Sequence, residues 1–218
     1  ILAKKYKKKI LEMNQYTYHP LFKKIKNIIE QKKLGKIFYV KCSFEVPLKN
    51  SRNFRFNKKL GGGALYDVGY YPLSTLFTLF NSKNINILKK KITKNKNIDL
   101  KGETIIINEN NLIFDLSWSL KDDYKNFIHI YGEKGLLKSN FIFSKKIIQD
   151  GKIEIFIKKK FKVKKIIKAN QINLAFNKML KNNSQIFKTN FKQSLKLLEV
   201  FDKLKKNKKD ITKKTIKS

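Results

Sequence analysis

Asp67 and Tyr71 are the two side chains whose types and spacing suit acid–base work on a hydroxyl or carbonyl group. They stand four residues apart in Leu60-Gly-Gly-Gly-Ala-Leu-Tyr-Asp-Val-Gly-Tyr-Tyr-Pro72. On a helix that spacing puts both on one face, about a turn apart. A carboxylate and a phenol converging on one spot can hold a sugar hydroxyl, and the phenol can also pass a proton. Gly69 between them reads as the residue that keeps this face open. Pro72 removes one helix hydrogen bond and predicts a kink. A plainer reading stands beside this one. A Gly-rich turn before an aromatic helix is ordinary packing, and Asp67 is then a solvated carboxylate favoured by the helix dipole. Gly61-Gly62-Gly63 is not a phosphate loop, since it lacks both the G-x-G-x-x-G pattern and a Gly-Lys-Ser/Thr ending.

Arg52 and Arg55 precede the glycines. They read either as forks for a phosphate or as loop residues paired with a nearby carboxylate. His19, beside Pro20 at a helix start, reads as a capping or solvent-exposed histidine. His129 lies inside an apparent strand and reads as structural. Cys42 falls on an apolar strand face and reads as a small buried hydrophobe. Trp118 belongs either to the core or to a sheet face used in assembly. One cysteine and two histidines leave no disulfide framework and predict no metal site.

The background makes these residues stand out. The net charge is +35, yet only two of the 51 basic residues are Arg. Lys, Ile and Asn are raised together throughout, as a strongly AT-biased genome would produce. A charge this high also fits a lysine-rich nucleic-acid-binding module, but the lysines spread over every segment and no aromatic platform accompanies them, so nucleic acid is not the favoured partner. With 41% hydrophobic residues the chain can bury a core. No apolar run is long enough for a membrane span.

The periodicity predicts the end of a helix over 1–6, a strand over Lys7–Met13 and a polar connector over Asn14–His19. A helix follows from Pro20, with Gly35 as its cap. A strand runs over Ile37–Val46, with Phe38, Val40, Cys42 and Phe44 on its apolar face. Residues 48–60 form a polar loop, and a helix runs from the glycines to about Phe80. Six short strands follow: Ile85–Ile92, Thr104–Ile107, Leu112–Leu120, Asn126–Tyr131, Leu136–Phe143 and Ile153–Ile157. Helices over Asn170–Leu180 and Phe191–Leu204 close the chain. The fold class is α+β: an open, predominantly antiparallel sheet with helices on one face. The other face is then polar or buried against a partner.

The segment from Arg52 to Pro72 resembles the glucose–fructose oxidoreductase, inositol dehydrogenase and MocA family. It is similar in particular to the Asp-x-Gly-x-Tyr branch, which includes dihydrodiol and xylose dehydrogenases and nucleotide-sugar 3-ketoreductases. Met13–Pro20, Leu34–Ile37, the Tyr131–Leu137 hairpin and the closing helices carry weaker parts of the same likeness. The resemblance implies an NAD- or NADP-dependent oxidoreductase of a sugar or nucleotide-sugar. It implies a homodimer or homotetramer built through the open sheet, and a cytoplasmic location. Tyr71 falls on the family's catalytic Tyr and Asp67 on its substrate-contacting Asp. Arg52, Arg55 and His19 join Asp67 as substrate contacts, and Tyr16 and His19 lie where the cofactor would pass. The family's partner Lys, in a Glu-Lys-Pro motif, is absent, as is G-x-G-x-x-G. The implied organisation is a remnant of the dinucleotide-binding domain over 1–13, a substrate-binding and oligomerisation domain over 14–207, and a basic tail over 208–218. A chain so truncated is expected to be inactive alone. A purely non-catalytic assembly role is the other expectation.

Overall fold

The computed structural model describes residues 2–8, 10–48, 53–147, 149–166, 168–181 and 184–206. Arg52 and the basic tail lie outside the described residues. The elements in chain order are α1 (Leu2–Lys5), α2 (Pro20–Glu30), β1 (Ile37–Glu45), α3 (Ala64–Asp67), α4 (Tyr70–Thr78), β2 (Ile85–Asn95), β3 (Ile98–Asn108), β4 (Ile113–Ser119), β5 (Lys125–Gly132), β6 (Gly135–Asn140), β7 (Gly151–Ile157), β8 (Lys160–Ile166), α5 (Gln171–Leu180) and α6 (Ser184–Lys205). The α+β class is as expected: eight strands form one sheet in the order β2-β3-β4-β1-β5-β6-β7-β8.

The sheet is not a simple meander. β1 sits in its middle, parallel to β4 and antiparallel to β5. A parallel neighbour needs a crossover, and residues 46–112 supply one that carries α3, α4 and the β2–β3 hairpin. The segment with the candidate site is therefore part of the connection that crosses the sheet.

Val40, Cys42 and Phe44 of β1 point to the buried side, together with Leu116 and Trp118 of β4 and Ile128 and Ile130 of β5. Leu21, Phe22, Ile25 and Ile28 of α2 and the buried face of α4 cover them. Phe38 departs from its expected place. It is 50% exposed, at the register shift where β1 meets β5, so the apolar alternation starts at Val40.

Four other expectations are corrected. Lys7–Met13 is not a strand. Its chain is pinned instead by Asn190 of α6, whose side chain accepts from the Glu12 N–H and donates to the Glu12 carbonyl, both at 2.9 Å. A side-chain amide thus does what a neighbouring strand would do. α2 ends at Glu30, and Lys32 rather than Gly35 takes the first left-handed conformation after it. β6 stops at Asn140, where Phe141 turns to φ 55°. β8 was not expected, because lysine fills most of Lys160–Ile166; it is held by pairing with β7 through a two-residue turn, Lys158-Lys159, with both φ positive.

Trp118 resolves to the core. It is 1% exposed and lies between two glycines on neighbouring elements. A Cβ added at Gly102 of β3 would fall 2.4 Å from its Cζ2 atom, and one at Gly69 would fall 3.0 Å from its Cγ. Gly69 therefore does not keep the Asp67–Tyr71 face open. It lets the α3–α4 turn settle on the indole.

Candidate active site

Asn53, Asn57 and the three glycines build the turn that aims Asp67. Asn53 Oδ1 accepts from the Arg55 N–H at 3.1 Å, and Asn57 Oδ1 from the Lys59 N–H at 3.0 Å, each closing a short 3-10 turn. The Gly63 N–H then donates back to the Arg55 carbonyl at 2.9 Å. Gly63 has φ 131°, a conformation open in practice to glycine alone, and a Cβ there would also strike Asp99 Oδ1 at 2.4 Å. The loop is folded back on itself before α3 begins.

α3 and α4 are separated only by Val68 and Gly69, both with right-handed helical dihedrals. The path stays helical, so Asp67 and Tyr71 keep a common side. Pro72 lies in the first turn of α4, where its missing N–H costs least, and the break falls just before it.

The structure joins Arg55 to Asp67: Arg55 Nε donates to Asp67 Oδ2 at 2.5 Å, with the two side chains 31% and 29% exposed. Of the two readings for Arg55, the paired loop arginine is the one observed. Its guanidinium also lies over the Phe54 ring at 4.6 Å.

The Tyr71 ring is gripped by aromatic neighbours: Phe44 at 4.7 Å, Phe143 at 5.6 Å, Tyr70 at 5.7 Å and Tyr16 at 5.9 Å between centroids. Its hydroxyl differs from those of the tyrosines beside it. Tyr16 bonds Ser74 Oγ at 2.5 Å, and Tyr70 donates to Asn14 Oδ1. Among the described residues the Tyr71 hydroxyl has no such partner. Burial, and to a lesser degree the Asp67 carboxylate, raise its pKa above the ordinary tyrosine value, against a smaller opposing pull from Arg55. The phenol stays protonated through neutral pH. A ring fixed by packing with a free, protonated hydroxyl is a ready proton donor.

Tyr16 and His19 are placed differently. Both are fully buried, so in this arrangement neither offers surface to a ligand. Tyr16 is a floor for the Tyr71 ring. His19 caps α2: its Nδ1 accepts from the Leu21 N–H at 3.0 Å. Its Nε2 has no partner among the described residues. Burial, followed by the Lys145 charge, lowers the His19 pKa to about 4. Lys145 was not legible among so many lysines; burial lowers its own pKa to about 8. Because the folded pKa of His19 lies below its unfolded value of 6.5, its neutral form favours folding above pH 6.5, and that contribution is lost as pH falls toward 4. We expect His19→Asn, which keeps the capping acceptor but cannot titrate, to flatten the fall in Tm between these pH values. An unchanged profile would show that acid sensitivity arises elsewhere.

A model of the GFO/IDH/MocA C-terminal domain matches residues 22–138, more than half of the chain and inclusive of the whole Arg55–Tyr71 constellation. The chain belongs to the GFO/IDH/MocA family. Among curated GFO/IDH/MocA-like relatives, a dTDP-3,4-didehydro-2,6-dideoxy-alpha-D-glucose 3-reductase of Actinomadura kijaniata is 22% identical over 137 residues, 62% of this chain and 41% of that protein. A trans-1,2-dihydrobenzene-1,2-diol dehydrogenase of Xenopus laevis is 27% identical over 81 residues, 37% of this chain and 24% of that protein. These are two of the kinds of enzyme in the branch the motif resembles. The chain spans less than half the length of these relatives. Among solved structures, a 3-ketoreductase from Actinomadura kijaniata in complex with NADP and TDP-benzene superposes with TM-score 0.81 at 16% identity, over 88% of this chain and 61% of that one. An aldose-aldose oxidoreductase from Caulobacter crescentus, complexed with glycerol, gives 0.77 at 14% identity, over 93% and 63%. These likenesses carry the GFO/IDH/MocA fold.

The sequence has no G-x-G-x-x-G, and the two side chains expected near a nicotinamide, Tyr16 and His19, are enclosed. Among the described residues no helix is long and apolar enough to cross a membrane.

Proposed function

We propose that this chain is the substrate-binding part of an NAD(P)-dependent oxidoreductase that acts on a carbonyl or hydroxyl carbon of a nucleotide-sugar. The observation that carries this reading is the Tyr71 hydroxyl, without a hydrogen-bond partner among the described residues, on a ring packed by Phe44 and Phe143 and within the influence of the Asp67 carboxylate that Arg55 holds. The relatives, which include a dTDP-sugar 3-reductase, support the substrate class. A dinucleotide bound on a separate domain, whether on the same polypeptide or another, would supply the hydride chemistry. The residues of this chain do the rest. Asp67 accepts a hydrogen bond from a substrate hydroxyl and so orients the sugar. Tyr71 donates a proton to the oxygen of the reacting carbon in the reductive direction and accepts it back in the other. Arg55 keeps the carboxylate aimed. Tyr16 supports the Tyr71 ring from beneath.

The test is an NADPH-oxidation assay with dTDP-keto-sugars, on the protein translated from the complete reading frame. Turnover is expected there. The 218-residue chain alone should neither bind NADPH nor turn over. Micromolar NADPH binding by that chain would overturn the division of labour, and an inactive full product would leave the non-catalytic assembly reading in its place. Arg55→Lys in the active protein is expected to raise KM about tenfold with little change in kcat, because lysine keeps the charge but not the Nε–H that grips Asp67. An unaltered KM would mean that Asp67 needs no such clamp.

The open side of the sheet supports assembly through it. Ile107, Ile113, Tyr39, Tyr131, Leu136 and Phe156 form one cross-strand row there, each at least partly exposed. Beside it run Asp115, Lys41, His129, Lys138 and Glu154, with a Lys41–Asp115 pair at 3.6 Å. An apolar stripe flanked by charges of both signs suits pairing with a second copy.

A further inference from the structure

A hollow lined by neither Asp67 nor Tyr71 opens between the Gly61–Gly62 turn, the β2–β3 hairpin and the end of α6, with a volume of about 520 Å3. That is within the range of small-molecule sites, roughly 300–1,000 Å3. Lys58, Lys94, Lys205 and Lys206 line it, and the ring of Tyr66 forms a flat wall. Gathering like charges around a concave surface is unfavourable unless an anion enters. Asp99 is the carboxylate among the lining residues, and it is already engaged, accepting from the Leu65 N–H at 2.5 Å. Among the described residues none of Lys58, Lys94 and Lys206 has a carboxylate partner. The Lys205 ammonium stands 3.6 Å from the centre of the Tyr66 ring.

Lys90, which also lines the hollow, has a different task. Its ammonium donates to the carbonyls of Lys203 at 2.7 Å, of Leu204 at 2.9 Å and of Lys206. It thereby cancels the negative end of α6, which would otherwise offset the remaining lysines. Lys58, Lys94, Lys205 and Lys206 are then opposed in the lining only by Asp99. Ammonium groups on flexible stems suit phosphoryl oxygens, which accept from several directions at once.

We propose that this hollow binds a phosphate-bearing small molecule, with its phosphates among Lys58, Lys94, Lys205 and Lys206 and its remaining portion against Tyr66. Calorimetry on the 218-residue chain, with tripolyphosphate and ATP as probes, tests this. The triple variant Lys58→Gln/Lys94→Gln/Lys205→Gln is expected to weaken both probes at least about tenfold. A control removes the same charge from the lysine group across α2 and β8, as Lys24→Gln/Lys33→Gln/Lys162→Gln, a group whose mutual repulsion is felt at Lys164. It should change either affinity less than about twofold. Tyr66→Leu should weaken ATP more than tripolyphosphate, which marks a nucleotide rather than phosphate alone as the better ligand. Equal losses in the two triple variants would show net charge acting without a site and would overturn the proposal. So would the absence of binding by the unaltered chain. Tm values of all variants guard against loss of fold.

Discussion

Replacing Tyr71 with phenylalanine is expected to lower kcat of the complete oxidoreductase by about 10²- to 10⁴-fold, the usual contribution of a positioned proton donor. The substitution removes one oxygen and leaves the ring among Phe44, Phe143, Tyr70 and Tyr16. Since that hydroxyl is bonded to nothing among the described residues, Tm should not fall. KM should change little, because the Arg55–Asp67 pair is left intact. The pH profile gives a second readout. Burial raises the phenol pKa, so the reductive rate should hold steady through the pH range in which an ordinary tyrosine begins to ionise. A variant with normal kcat would remove Tyr71 from the chemistry and leave it as a packing residue. A variant with lowered Tm and normal kcat would show that the hydroxyl serves the fold.

The second large effect is expected on stability, at Gly102. A methyl group there would lie 2.4 Å and 2.6 Å from two ring carbons of Trp118, and the indole has nowhere to go, since its other side meets Gly69. Overpacking of this kind costs about 1–3 kcal/mol, occasionally more, and we place Gly102→Ala at the upper end, about 3 kcal/mol, read from urea unfolding. In a Trp118→Phe background the smaller ring leaves room, so the same Gly102→Ala change should cost markedly less. The coupling between the two sites is the quantity that decides. Additive effects would mean that strand β3, not the indole, resists the methyl group. Because Gly69 lies between Asp67 and Tyr71, any shift of the indole is carried to the site. Gly102→Ala should therefore also reduce activity, although it touches no substrate.

Much of the local architecture was legible because it is written in short-range patterns. The spacing of Leu21, Ile25 and Ile28 marks α2, the alternation around Cys42 marks β1, and Gly61-Gly62-Gly63 marks the turn that precedes α3. The Asp67–Tyr71 pair was legible for the same reason, since four-residue spacing on a helical path is a property of the segment alone. β8 was missed because its alternation is hidden under lysine, and its identity as a strand depends on β7 beside it. Lys7–Met13 was read as a strand because its residue types allow an extended chain. Whether an extended chain joins a sheet depends on what lies next to it, and here that is Asn190 of α6, 178 positions from Glu12.

The sequence by itself determined most of the elements, the α+β class, the Gly-rich turn and the four-residue spacing of Asp67 and Tyr71. Only the tertiary structure decided which of the candidate residues meet. It paired Arg55 with Asp67, left the Tyr71 hydroxyl without a partner among the described residues, enclosed Tyr16 and His19, and set Gly69 against Trp118 of a strand far along the chain. It also placed β1 at the centre of the sheet beside β4. The physical reason is the range of the forces involved. Helix and strand periodicity follow from backbone geometry over a few residues. Burial, close packing and hydrogen-bond satisfaction depend on groups that only the folded chain brings together.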